Sequence, residues 1–265
     1  MIDPSAQIHA TAIVADGASI GADCRIGPYS LIGAEVELAA GVRLDSHVVI
    51  AGDTQIGEGT RIWPFASIGS EPQDLKFAGE KSRVRIGRNN MIREYVTVNP
   101  GTRGGGGLTR IGDGNLLMMQ VHVAHDCDIG SNIVFANGVQ VAGHVVIHDN
   151  AVLGSMAGIH QFVRLGRGVM VGAGVIVVSD VIPYGTVTSA RAHLGGLNLV
   201  GLKRRGAEKP ALNELRSAYK QLFSGNGALL DRARALADQA PENPYVQDVL
   251  EFVLANSDRS FCTPK

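Results

Sequence analysis

The sequence predicts an all-β solenoid, a parallel β-helix, followed by a small α-helical C-terminal domain. Three observations predict it. Aliphatic residues recur at every sixth position from Ile8 to Ile68, resume at Ile86, Ile92 and Val98, and run again from Ile111 to Val177. A small residue often follows the aliphatic one, as in "IGADCRIGPYSLIGAE" from Ile20. The period stops near Pro183, and from about Leu197 the apolar spacing becomes helical.

A period of six is not a helical repeat, and a sandwich of short strands would not need so strict a ruler. It suits a short strand followed by a turn. Three such strands close one triangular coil, and stacked coils bury a continuous column of aliphatics. Two stretches break the ruler: "SEPQDLKFAGEKSR", within about 70–84, and "NPGTRGGGGLT", within about 99–110. An insertion into a solenoid must leave the prism, so both are expected to protrude and, as the irregular parts, to carry function.

The β-helix is accordingly expected over 1–187 and the helical domain over 188–265. In the latter, "KPALNELRSAYKQLF" puts Leu212, Leu215, Tyr219 and Leu222 on one face, with Pro210 near its start and Gly225 beyond its end. "ALLDRARALADQ" and "PYVQDVLEFVLA" read as two further helices. Together they are expected to cover the apolar end of the last coil.

The formal charge of −1 argues against broad nucleic-acid binding. The N-terminus "MIDPSAQIH" lacks a basic head and apolar run, and "VMVGAGVIVV" is too short and glycine-broken to span a bilayer. An unexported protein that is not integral to a membrane is expected. Cys24, Cys127 and Cys262 are too widely spaced for a disulfide framework or zinc knuckle, which suits a reducing cytoplasm.

With three hexads per coil, residues eighteen apart stack at about 4.8 Å. His125, Gly143 and Gln161 then share one column, and Asp126, His144 and Phe162 the next. His125 with Asp126 could form a general base and its orienting acid, and Gly143 would let a substrate approach its amide closely. Neighbouring strand residues point to opposite faces, so that pair requires a turn position. A lone corner histidine is more often merely solvated, but His122, His125, His144 and His160 cluster. The same cluster keeps a zinc site open, since three imidazoles can make a catalytic centre. Cys127 reads as a small coil filler, because nothing marks it as an activated thiolate.

These motifs resemble one family closely: the UDP-N-acetylglucosamine O-acyltransferases that begin lipid A synthesis. The resemblance rests on "SHVVI" at Ser46, "FASIG" at Phe65, "PQDLKFAGE" at Pro72, "GGGLT" at Gly105, "NLLM" at Asn115, "HVAHDC" at His122, "AGHV" at Ala142, "HQF" at His160 and "GLKRRG" at Gly201. It implies a left-handed coil, against the usual crossover hand, and a cytoplasmic homotrimer. It also implies transfer of a (3R)-3-hydroxyacyl group from acyl carrier protein to the 3-hydroxyl of UDP-N-acetylglucosamine, with no cofactor and no metal. A related N-acyltransferase carries a domain ahead of its hexads; here they begin at Ile8, leaving no room for one.

By that resemblance His125 is the base, Asp126 orients it and the Gly143 amide meets the oxyanion. Asp74 and Lys76 with His122, His144, His160 and Gln161 would surround sugar and acyl groups, and Asn198, Arg204 and Arg205 the nucleotide. Val200 departs from relatives that carry glutamate there, which removes any nucleotide contact by that side chain. Ala173, one coil above Ser155, would limit acyl length. Arg204, Arg205, Arg216 and Lys220 are candidates for meeting the acidic carrier. A histidine-liganded carbonic anhydrase of the γ class also uses hexapeptide-repeat trimers, so a zinc hydratase is the alternative.

Overall fold

The computed structural model describes residues 1–190 and 192–265. Residues 1–188 build a left-handed parallel β-helix with one sheet on each face of the prism; the sheets have 11, 9 and 8 strands, the last strand of the first being His193–Leu197 beyond the helix. The first face starts at Gln7–Ile8, the second at Ile13–Val14 and the third at Ser19–Ile20. Most strands are two residues long, one facing out and the next in. In Arg25–Ile26, for example, Arg25 is exposed and Ile26 is 2% exposed.

The aliphatic ruler is the register of the sheets. Ile26 pairs with Leu44, and Leu44 with Ile62. Across the first insertion Ile62 pairs with Ile92, and across the second Ile92 pairs with Leu117, so both insertions leave the prism with the columns unbroken. Each enclosed side chain is worth about 1.5–3 kcal/mol relative to exposure. Two buried asparagines tie coils together where the insertions are absorbed: Asn90 donates to the Gly87 and Gly112 carbonyls, and its Oδ1 accepts from the Asn115 amide.

Corners impose a second rule. At most corners between faces one residue takes the left-handed conformation, often an asparagine, aspartate or glycine such as Asn132 or Gly114. Asp126, His144 and Phe162 hold φ of 59°, 61° and 64° at successive corners between the second and third faces. Bulky residues in that conformation carry strain; a second row of them, Tyr29, His47, Phe65 and Tyr95, lines the edge between the first and second faces.

After Gly185–Thr188 the chain reverses, and His193–Leu197 pairs with that strand antiparallel, ending the first sheet. Four helices follow: α1 (Leu199–Arg204), α2 (Lys209–Phe223), α3 (Leu229–Ala237) and α4 (Pro244–Leu254). Leu212, Leu215, Ala218 and Leu222 form the buried stripe of α2, while Tyr219 is half-buried and its ring lies tilted against Phe223. The helices lie against the last coils: the Tyr184 hydroxyl donates to Asp248, and the Arg164 guanidinium sits over Phe252. No helix among the described residues is long and apolar enough to cross a membrane.

Candidate active site

The left-handed turn at Asp126 is what lets sequence neighbours meet. In a flat strand His125 and Asp126 would diverge, but here His125 Nδ1 lies 2.9 Å from Asp126 Oδ2. With the carboxylate at Nδ1, the ring proton belongs on Nδ1 and the lone pair on Nε2. The His125 ring lies flat against the next coil, where a Cβ on Gly143 would be 2.6 Å from Cε1 and 2.7 Å from Nε2. Only a residue without a side chain fits under the ring. Among the described residues the Gly143 N–H donates to no protein group.

The second protruding loop folds onto Asp126. Thr102 donates to both carboxylate oxygens, by its N–H to Oδ1 at 2.8 Å and by its hydroxyl to Oδ2 at 2.6 Å. Thr109 Oγ1 accepts the Asp126 N–H at 2.8 Å. A side chain on Gly101 or Gly105 would run into the same carboxylate, which explains part of the glycine run. The Asp126 side chain is completely buried, although that of His125 keeps 16% of its surface. Sequence reading flagged this loop but missed Thr102; the available signal was a hydroxyl next to Gly101 and close before the glycine run of an insertion.

Several expected residues converge on the dyad. The His144 ring stands edge-on to His125 at 5.0 Å, with Nε2 3.9 Å from Asp126 Oδ2, and stacks on Phe162 at 4.4 Å. His122 Nδ1 is 2.8 Å from Thr97 Oγ1. A cleft of about 410 Å³ is lined by His122, His125, Gly143 and His160 together with Gln73 and Asn99. Asn99 fastens the first loop by donating to the Ser70 and Glu71 carbonyls, and its buried Oδ1 has no partner among the described residues. Asp74 and Lys76 on that loop are near enough to bias His144 in opposite senses. Gln161 is exposed one corner further along.

Other expected residues lie apart from this cleft within one chain. Asn198 caps α1, accepting from the Gly201 amide and donating to the Gly168 carbonyl. Arg204 and Arg205 end that helix, and Val200 is 61% exposed on it. Ser155 and Ala173 are exposed on a different edge, between the first and second faces, where the Gly174 amide donates to the Ser155 carbonyl.

Burial lowers the pKa of His122, helped by the neighbouring His125, and burial likewise lowers His144 and His148. Each therefore binds a proton more readily unfolded than folded. Above the ordinary imidazole value of 6.5 both states are neutral and nothing is lost; as pH falls below it the unfolded chain protonates first. Stability is expected to fall progressively with pH from about 6.5 downward. Thermal melts from pH 8 to 5 check this, and a His148→Gln variant should show a shallower decline. Burial pushes the Cys127 thiol up to about 12, so no thiolate is available at neutral pH, and its Sγ donates to the Ala142 carbonyl.

Among the described residues, His125, Asp126 and His144 alone bring three potential ligand atoms together, all within 4.8 Å. Two imidazoles and a carboxylate already hydrogen-bonded to Thr102 are not the three-histidine set the zinc alternative needs, and His122 is turned to Thr97. Comparison with known proteins gives that alternative no support. Residues 180–262 match the family model described as UDP-N-acetylglucosamine O-acyltransferase, domain 2, and residues 108–143 match the bacterial transferase hexapeptide model. An acyl-carrier-protein-dependent UDP-N-acetylglucosamine O-acyltransferase of Paracoccus denitrificans is 55% identical over 193 residues, 73% of each chain. The enzyme of that name from Rhizobium johnstonii is 43% identical over 263 residues, 99% of this chain and 97% of its own. The solved structure of LpxA from Acinetobacter baumannii superposes with a TM-score of 0.93 at 40% identity, covering 96% of this chain and 98% of the other. With relatives this similar over nearly its whole length, the chain belongs to the acyl-carrier-protein-dependent UDP-N-acetylglucosamine O-acyltransferase family.

Proposed function

We propose that this protein transfers a (3R)-3-hydroxyacyl group from acyl carrier protein to the 3-hydroxyl of UDP-N-acetylglucosamine, the first step of lipid A biosynthesis. The observation that carries the mechanism is the His125–Asp126–Thr102 chain beside the unpartnered Gly143 amide. His125 Nε2 takes the proton of the sugar hydroxyl as its oxygen attacks the thioester carbon. Asp126, held by Thr102, keeps the ring in place and balances the imidazolium charge. The Gly143 N–H meets the oxygen that becomes negative in the tetrahedral intermediate. Collapse breaks the carbon–sulfur bond, and the imidazolium returns its proton to the departing carrier thiolate. No acyl-enzyme forms, which agrees with the protonated, buried Cys127.

His122, His144, His160 and Gln161, with Asp74 and Lys76 from the first loop, would hold sugar and acyl groups. Asn198, Arg204 and Arg205 lie outside this cleft, as do Ser155 and Ala173, and a homotrimer would let one chain supply them to its neighbour. The outward row Met91, Leu116, Val134, Val152 and Met170 on the first face supports such an interface, since nothing within one chain covers the 44% of Met91 left exposed. Arg204, Arg205 and the exposed Arg216 and Lys220 of α2 would offer positive charge to the carrier and to a diphosphate. A cytoplasmic location follows from those two substrates.

The test is incubation with UDP-N-acetylglucosamine and a panel of 3-hydroxyacyl carrier proteins, with the 3-amino sugar as competing acceptor. O-acylated nucleotide sugar is the expected product; acylation of the amine alone, or no transfer, would sink the assignment. Donor length is expected to depend on Ala173. Its methyl would close the end of an acyl groove, and one methylene too many costs typically 1–3 kcal/mol, roughly 10–200-fold in discrimination. By analogy with the family, a medium chain of about ten to twelve carbons is the expected optimum, each buried methylene contributing about 0.8 kcal/mol. Assays across donor lengths should show Ala173→Gly shifted to longer chains; identical optima would remove Ala173 from that role.

A further inference from the structure

After α4 the chain does not end against its own helices but runs back onto the solenoid. Ser257 Oγ donates to Asp180 Oδ2 at 2.7 Å, the Asp180 amide to the Ser260 carbonyl at 2.9 Å, and the Cys262 amide to the Asp180 carbonyl at 2.7 Å. Further on, the Leu194 amide donates to the Thr263 carbonyl at 3.1 Å. Asp180 is fully buried and also holds Arg164, so this tail is pinned to the core of the last coils. Between the two pins stands Arg259, whose own amide donates to Ser257 Oγ. Its guanidinium reaches the residues at the cleft edge, Nη2 donating to the Gln161 carbonyl at 2.7 Å and lying 3.2 Å from Nδ1 of His160.

Those two contacts constrain the histidine. Nη2 carries two hydrogens and no lone pair, so with one serving the Gln161 carbonyl, a hydrogen bond from the other to Nδ1 requires that nitrogen to be unprotonated. Nδ1 is also 3.2 Å from the Gln161 carbonyl, but a hydrogen placed there would face the guanidinium donor, and that carbonyl is already served at the shorter distance. The remaining proton of the neutral ring then sits on Nε2, which bonds to no protein group among the described residues, and His160 lines the cleft.

We propose that Arg259 is a positioning residue for acyl transfer: the C-terminal tail carries it to His160 and Gln161, where it fixes His160 as the Nε2–H tautomer and presents that N–H as a donor to the bound substrate. The inference rests on the proposed acyltransfer at this cleft for its kinetic consequence, but not for the tautomer. Arg259 touches no reacting atom; it acts through His160.

The experiment uses the full chain with 15N-labelled histidine, His160 being assigned from a His160→Gln variant. In the free wild-type protein the His160 Nδ1 resonance is expected in the unprotonated range and Nε2 in the protonated one. Arg259→Met should turn this into a tautomer mixture and lower kcat/KM by about 3–15-fold, the range for one lost hydrogen bond, with an unchanged melting temperature. Adding Arg259→Met to His160→Gln should cost nothing further. An unchanged tautomer in Arg259→Met, or effects that multiply in the double variant, would overturn the proposal; if the methionine variant does not fold, Arg259→Gln gives the same comparison. Because the tautomer is read without substrate, absent transfer activity would remove the proposed function while leaving this arm decisive.

Discussion

His125→Ala is expected to leave the protein folded and to lower turnover by roughly 10²–10⁴-fold, the usual range for loss of a general base. The fold should survive because the aliphatic residues on either side, Val123 and Ile129, are buried in the columns of the prism, whereas the imidazole faces the cleft. Substrate binding should suffer less than turnover, since the ring's Nε2 lone pair matters only when the hydroxyl proton moves. Asp126→Asn separates orientation from basicity: the amide offers a hydrogen where Nδ1–H points, so the ring must flip or lose its partner. Cys127→Ala is the control, and should keep most of its activity and trap no acylated intermediate. Near-wild-type turnover in a folded His125→Ala protein, measured with saturating donor, would remove His125 as the base.

How much of this could be read in the sequence depends on which contacts are periodic. The hexad ruler is a physical repeat of one aliphatic per strand, so it announces the sheets, their register and the stacking of His125 on Gly143 eighteen residues later. Where the ruler pauses, it still shows that 70–84 and 99–110 leave the prism. Corner conformation has no such signature. Nothing in "HDC" says that Asp126 adopts φ 59° and can therefore meet the residue before it. Contacts made by the loops are equally silent: Thr102 reaches Asp126 across 24 residues, by a path set by glycines rather than by a repeat. Arg259 is further still from His160, 99 residues along the chain, and its placement follows from the buried Asp180 that pins the tail. On α2 the helical spacing placed Tyr219 correctly against the core, where it is partly buried, but passed over the small Ala218, which is buried beside it.

The second large effect is expected from Gly143→Ala, a substitution that adds one methyl group and removes nothing. The backbone accepts it, because Gly143 is not among the residues with left-handed φ; the neighbouring His144 takes that conformation at this corner. Space does not. The new Cβ would stand 2.6–2.7 Å from two atoms of the His125 ring, about an ångström inside contact distance for carbon. Something must give, and the coil cannot: the Phe162 amide donates to the Gly143 carbonyl and the His144 amide to the His125 carbonyl, both within the stack. The His125 side chain therefore swings, and because Asp126 is itself clamped by Thr102, the 2.9 Å contact at Nδ1 is the one that breaks. The same methyl narrows the approach of a thioester oxygen to the Gly143 amide. A displacement of about 1 Å at a reacting centre is worth roughly 10²-fold, so kcat is expected to fall by about that factor. The melting temperature should change little, since the ring moves outward into the cleft and no core column is disturbed. If Gly143→Ala turned over like the wild type, neither the packing of His125 on this glycine nor the amide's part in holding the oxyanion would stand.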